Sequence, residues 1–94
     1  NIKFVMELLY KQLGVSTDTS EFGYESVTLD RSELDADLLP DYFDEIQIDE
    51  KLLIHFYNVD DYIVYIIADV KDSRWCLVGI LKSGKLAYSR RFDL

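Results

Sequence analysis

The chain has 94 residues, 49% of them apolar, and a formal net charge of −8 at pH 7. Its length fits a single domain spanning residues 1–94 and is too short for two, and its apolar content is that of a packed rather than a disordered chain. A strongly acidic surface repels the phosphates of nucleic acids and of anionic lipids, which argues against general binding to either.

The charge is divided unevenly along the chain. Residues 1–70 carry sixteen acidic and four basic side chains, whereas residues 71–94 carry two acidic and six basic ones. Cys76 is the single cysteine, so no internal disulfide can form, and no apolar run reaches the length of about 18 residues that a membrane helix needs. We therefore predict a cytoplasmic protein. The first residue is Asn1 rather than Met, as expected for a piece of a longer protein.

The first predicted element is a helix over residues 2–13. Its apolar side chains recur at the spacing of one helical face, and Gly14 is a typical helix stop. Residues 24–30 have the composition of a short strand, but the predicted sheet does not include them. Ser32 is then a candidate N-cap for a short second helix that Pro40 ends. The apolar positions of the first helix are Ile2, Phe4, Val5, Met6, Leu8, Leu9 and Leu13.

From residue 51 onward the apolar pattern has a period of two, as in β-strands. Four segments rich in Ile, Val, Leu, Tyr and Phe are separated by short turns, among them Ser83-Gly84. Links this short force neighbouring strands to run antiparallel. The predicted fold is therefore α+β, with an N-terminal helix and a short second helix packed on a four-stranded antiparallel β-meander. The predicted strands are residues 51–59, 62–70, 74–81 and 85–92.

The segment 62–70 is apolar on both of its faces, which predicts a central strand that is covered on each side. The first helix supplies one cover. The second cover is either the segment 32–44 or a partner subunit, so a homodimer is one of the two arrangements that the sequence allows.

The stretch 30–50 contains nine acidic residues, which predicts a docking face for a basic protein partner. The alternative is a solvated surface that only keeps the protein soluble. We predict a non-enzymatic interaction or regulatory module that needs no cofactor. Its partner-binding residues would be acidic side chains arranged around one tyrosine. They are Asp35, Asp37, Asp41, Tyr42, Asp44 and Glu45.

A second pattern has an acid before one strand of a hairpin and an acid-x-lysine triplet at the end of the next. Here these are Asp49 and Asp69-Val70-Lys71. The pattern resembles the PD-(D/E)XK nuclease superfamily. The resemblance implies that Asp49 and Asp69 bind Mg²⁺, that Lys71 is the catalytic lysine, and that the substrate is nucleic acid.

This sequence departs from the nuclease pattern at two places. No proline precedes Asp49, and residues 72–92 predict further strands where the family has a helix. The alternative interpretation is that Asp69 and Lys71 are strand-end charges that are solvated or paired with each other. His55 and Cys76 both lie in apolar segments that are predicted to be strands. This predicts packed side chains rather than a nucleophile and its base.

Overall fold

The computed structural model describes residues 1–92. One α-helix is followed by five β-strands, with four short 3₁₀ helices in the connections. The bounds are α1 Ile2–Leu13, β1 Gly23–Asp30, β2 Lys51–Val59, β3 Tyr62–Asp69, β4 Trp75–Lys82 and β5 Lys85–Arg91, with 3₁₀ helices at Thr19–Glu21, Arg31–Glu33, Ala36–Leu38 and Asp41–Glu45.

The five strands form one antiparallel sheet in the order β1-β2-β3-β4-β5. The α+β class and the antiparallel meander are therefore confirmed, but the prediction of four strands is wrong. The segment that was left out of the sheet, β1, pairs with β2 from Gly23↔Asn58 to Asp30↔Lys51. This pairing joins segments far apart in sequence, and the side chains of β1 are mostly exposed. A strand of this kind has little apolar alternation to reveal it.

The helix α1 forms because its ends are capped and one face is apolar. The Asn1 side chain accepts a hydrogen bond from Phe4 N at 3.2 Å, and Gly14 adopts the left-handed conformation (φ 68°) that ends the helix. Its buried side chains pack on one face of the sheet, against β2, β3 and β4. In the part of the chain that the structure describes, no helix is long and apolar enough to cross a membrane. The buried side chains of α1 are Val5, Leu8 and Leu9.

The opposite face of the sheet is covered by residues 31–48, which we call the cover. Pro40, Phe43 and Ile46 are its buried residues. Phe43 and Ile46 belong to a second core cluster together with residues of β2, β3 and β4. The central strand β3 is thus enclosed on both faces, as its sequence predicted. Because the chain supplies this second layer itself, the observation that suggested a homodimer no longer requires one.

The prediction of a second α-helix is also wrong, since the cover consists of 3₁₀ turns. Two side chains explain the break. Asp35 accepts a hydrogen bond from Asp37 N at 3.0 Å, and Glu33 accepts one from Asp30 N at 3.0 Å. Each of these caps starts a new turn and competes with a continuous helix. Pro40 follows directly, so no α-helix is established before the chain has to turn again.

Candidate functional site

The path of the cover is braced from within by Arg31, its first residue. Its guanidinium donates hydrogen bonds to the backbone oxygens of Phe43 at 3.1 Å and of Ile46 and Ile48 at 3.3 Å. It also lies 4.7 Å from the centre of the Phe43 ring. The planar guanidinium can reach several carbonyls at once, which a lysine ammonium cannot do in the same geometry. One side chain thus ties three points of the cover together.

A second anchor is Tyr65 on β3. Its hydroxyl donates to Leu38 O at 2.8 Å, and its ring lies over Gly79 of the neighbouring strand. Any side chain at Gly79 would collide with that ring, so this glycine makes room for the tyrosine. Burial raises the pKa of Tyr65 far above its ordinary value, which keeps the hydroxyl protonated as a donor.

A third anchor joins the cover to the edge strand β5. The Tyr42 hydroxyl and Ser89 Oγ are 2.7 Å apart, and either atom can donate. The Arg91 guanidinium lies 5.8 Å from the centre of the Tyr42 ring. Tyr42, which we predicted at the centre of a docking face, is thus half-buried and has its hydroxyl bonded to the sheet.

The predicted acidic residues all lie on the outside of this anchored cover. We call the five exposed carboxylates the acidic surface. Within residues 1–92 none of them has a basic side chain within 4.0 Å. Asp35 caps a 3₁₀ turn, whereas the carboxylates of the other four make no hydrogen bond in the described chain. The acidic surface consists of Asp35, Asp37, Asp41, Asp44 and Glu45.

A shallow depression of about 220 Å³ lies within the acidic surface. Its lining mixes apolar groups with two carboxylates, those of Asp41 and Asp44. Apolar groups next to two carboxylates without a basic neighbour among residues 1–92 match a lysine or arginine side chain, which has an aliphatic stem and a cationic end. The remaining lining residues are Ala36, Leu39, Pro40 and Phe43.

The second candidate set also comes together, at the end of the sheet where β3 leads into β4. Lys71 Nζ lies 3.1 Å from Asp49 Oδ2, and Lys71 N donates to Asp69 Oδ1 at 2.8 Å. The Arg74 guanidinium lies 3.9 Å from Asp69 Oδ2. Hydrogen bonding to Asp49 raises the pKa of Lys71, so this lysine is held in its charged form.

These contacts fit a turn better than a metal centre. Asp69 uses one oxygen to order the β3–β4 turn and turns the other toward Arg74, while Asp49 is paired with Lys71. Among residues 1–92 no three His, Cys, Asp or Glu side chains are grouped closely enough to hold a metal ion. The Mg²⁺ that the nuclease resemblance implies would thus find two carboxylates that already have cationic or backbone partners. The strand β4 follows Lys71, where the nuclease family has a helix.

His55 and Cys76 lie apart on the sheet. His55 Nδ1 is 2.9 Å from the Tyr24 hydroxyl, and burial lowers the pKa of the imidazole. Cys76 is fully buried on β4, within the core cluster below the cover. No arrangement of a nucleophile with its base is formed by these two residues.

The anchors were not found from the sequence, although one signal was present. Arg31 is the only basic residue between Lys11 and Lys51, and it lies inside an acidic stretch. A lone arginine in such a position has a role to be explained. Tyr65 and Gly79 carry no comparable signal, because their contact depends on the register between β3 and β4.

Three comparisons with known proteins found no relative of this chain. No protein-family model matches this chain, and no curated protein or solved structure is significantly similar to it. The function of this chain therefore has to be inferred from its own residues.

Proposed function

We propose that this protein is a non-enzymatic interaction module whose acidic surface binds a basic region of a protein partner. The observation that carries the proposal is the combination of unpaired carboxylates with an anchored backbone. The five acids of the acidic surface have no basic neighbour within the described chain. The cover that presents them is nevertheless braced from within by Arg31 and tied to the sheet by Tyr65 and Tyr42.

The charge supports this proposal in two ways. The net charge of −8 attracts a basic partner over distances comparable to the Debye length and speeds the encounter. The acidic surface then orients the partner at short range. Because the cover is already fixed, binding does not have to order it, and less of the interaction energy is lost.

The depression between Asp41 and Asp44 supports a specific contact. A lysine or arginine of the partner would lay its methylene groups on Leu39, Pro40 and Phe43 and place its charge between the two carboxylates. We further propose a cytoplasmic location, since a chain with a single cysteine, and so without an internal disulfide, fits a reducing compartment.

The proposal is tested by capture of the partner with three forms of the protein. The acidic triple variant, Asp37→Asn/Asp41→Asn/Asp44→Asn, removes three charges whose carboxylates make no hydrogen bond in the described chain. The control triple variant, Glu7→Gln/Asp60→Asn/Asp72→Asn, removes the same charge elsewhere. We expect the wild type and the control to retain the same basic protein and the acidic triple to lose it. Equal capture by all three forms would remove the acidic surface from consideration.

A metal-dependent nuclease of the PD-(D/E)XK type is the second candidate. The observation in its favour is the 3.1 Å contact between Lys71 and Asp49, which brings both sequence motifs to one place. The test is cleavage of plasmid DNA in the presence of Mg²⁺. If the protein is a nuclease, the Asp69→Asn variant loses this activity. This substitution keeps the oxygen that accepts the hydrogen bond from Lys71 N. We expect no Mg²⁺-dependent cleavage by the wild type.

A further inference from the structure

The two edges of the sheet differ in how they are protected. The edge strand β5 carries Lys85, Arg90 and Arg91, and its pairing with β4 has a register shift. Charged side chains and irregular pairing both hinder the addition of another strand. The other edge strand, β1, pairs with β2 over eight residues without a shift, and its charged side chains are Glu25 and the terminal Asp30. The edge of β1 is therefore the one that remains suited to strand addition.

The register shows which backbone groups of β1 point away from β2. Arg31 N donates to Glu50 O at 2.6 Å, and this pair continues the register of the two strands. Bonded and non-bonded pairs alternate in an antiparallel ladder, so the odd-numbered residues of β1 bond to β2. The even-numbered residues point outward. Asp30 is consistent with this assignment, because its N–H donates to the Glu33 carboxylate and not to β2.

Three residues of β1 thus direct their N–H and C=O groups outward, namely Tyr24, Ser26 and Thr28. Their side chains are exposed, and 55% of the Tyr24 surface is accessible. The same edge has a negative charge at each end, with Glu25 beside Tyr24 and the Glu33 carboxylate next to Asp30. The acidic surface begins just after it, at Asp35.

We propose that the outer edge of β1 accepts an extended, lysine- or arginine-bearing segment of the partner as a sixth strand. This inference rests on the proposed function and adds how the partner is held. Backbone hydrogen bonds to Tyr24, Ser26 and Thr28 supply the attachment, and Glu25 and Glu33 favour cationic side chains on the added strand. A second copy of this chain fits less well, because pairing β1 with β1 would bring two acidic edges together.

The test uses an extended peptide of alternating lysine and threonine or valine, blocked at both ends, and a second peptide with N-methyl groups on alternate amides. N-methylation removes strand pairing but keeps the charge. Binding is followed by NMR of the backbone amides in the intact chain. We expect the first peptide to shift the amide signals of residues 24–28 and to slow their hydrogen exchange, and the N-methylated peptide to bind at least tenfold more weakly.

Two variants of Ser26 give an independent check. Ser26→Pro removes one outward N–H and no bond to β2, whereas Ser26→Thr keeps that N–H. We expect Ser26→Pro to bind the first peptide at least tenfold more weakly and Ser26→Thr to bind it like the wild type. The N-methylated peptide tests the inference on the unaltered protein even if Ser26→Pro does not fold.

The outcomes separate the inference from the function on which it rests. If both peptides bind equally, or if Ser26→Pro binds like the wild type, strand addition is overturned while the acidic surface remains the binding site. If neither peptide binds the wild type, both proposals fail. If the wild type assembles with itself in sedimentation and Ser26→Pro does not, the edge belongs to a second copy, and the basic partner strand is overturned.

Discussion

On one face of the sheet a twelve-residue helix packs through a continuous apolar stripe, while on the other face an irregular segment is fixed by a few polar contacts. The helix layer is stabilised by burial spread over many side chains. The cover also buries apolar side chains, but its path is set by hydrogen bonds from Arg31, Tyr65 and Tyr42. The helix layer thus depends on apolar area, whereas the cover depends on apolar area and on individual donors, so substitutions should affect the two layers differently.

The largest effect is expected in the helix layer, from Leu9→Ala. Leu9 is fully buried between α1 and the sheet, and its truncation leaves a cavity. We expect the free energy of unfolding to fall by about 3 kcal/mol, as for other buried leucines. Urea unfolding measures this loss, and hydrogen exchange should become faster throughout the sheet. A loss below about 1 kcal/mol would contradict the role given to this layer.

Arg31→Met is expected to have a smaller effect, because it removes the guanidinium donors and keeps an apolar side chain. Three backbone oxygens lose their partner, and we expect a cost of about 2 kcal/mol. Hydrogen exchange should become faster in residues 31–48 before it does in α1. Arg31→Lys restores the charge but not the three contacts, so it should rescue little. Uniform loss of protection in both layers would show that the cover is not a separate unit.

Tyr65→Phe is a smaller change of the same kind. The ring stays over Gly79, and only the hydroxyl that donates to Leu38 O is lost. We expect a cost of about 1 kcal/mol, confined to the cover. The measurement is again hydrogen exchange, now at residues 36–40. An unchanged exchange rate there would mean that the bond does not hold the cover.

The smallest effect is expected from pH, through His55 on the helix side. Burial lowers the pKa of His55 below its ordinary value of about 6.5, so below that pH the unfolded chain binds a proton more readily than the folded one. The contribution of neutral His55 to the free energy of unfolding is complete above the ordinary pKa. It is lost as the pH falls toward the pKa of His55 in the folded state. His55→Gln should reduce the loss of stability between about pH 7.5 and 5.5, measured by urea unfolding at each pH. An identical loss in the wild type and the variant would contradict the shift.

The helix layer could be predicted from the sequence. The cover was one of two alternatives for the second face of the sheet, and its 3₁₀ form was not predicted. The apolar period of residues 2–13 and the alternation from residue 51 onward are local signals, and both elements lie where they were expected. A second helix was predicted after Ser32, where Leu34, Leu38 and Leu39 have the spacing of one helical face. Local caps from Glu33 and Asp35 override that pattern.

The remaining errors concern information that is not local. The strand β1 has exposed Tyr24, Ser26 and Thr28 on one side, so only its pairing with β2 identifies it. On β2 the apolar pattern does not tell which positions lie below the cover. Leu52 and Ile54 are buried and Leu53 is half-buried, because the cover faces the even-numbered residues at the start of this strand. The acidic surface itself was visible as a run of charge, but its anchoring was not.

The most direct test of the account combines stability and binding in one experiment. The affinity for the basic protein that the wild type captures and the free energy of unfolding are measured for the wild type, the acidic triple variant and the control triple variant. We predict that both triples stay within about 0.5 kcal/mol of wild-type stability, while only the acidic triple loses at least tenfold in affinity. An acidic triple that unfolds more easily and still binds this protein like the control would show that these carboxylates serve the fold rather than a partner.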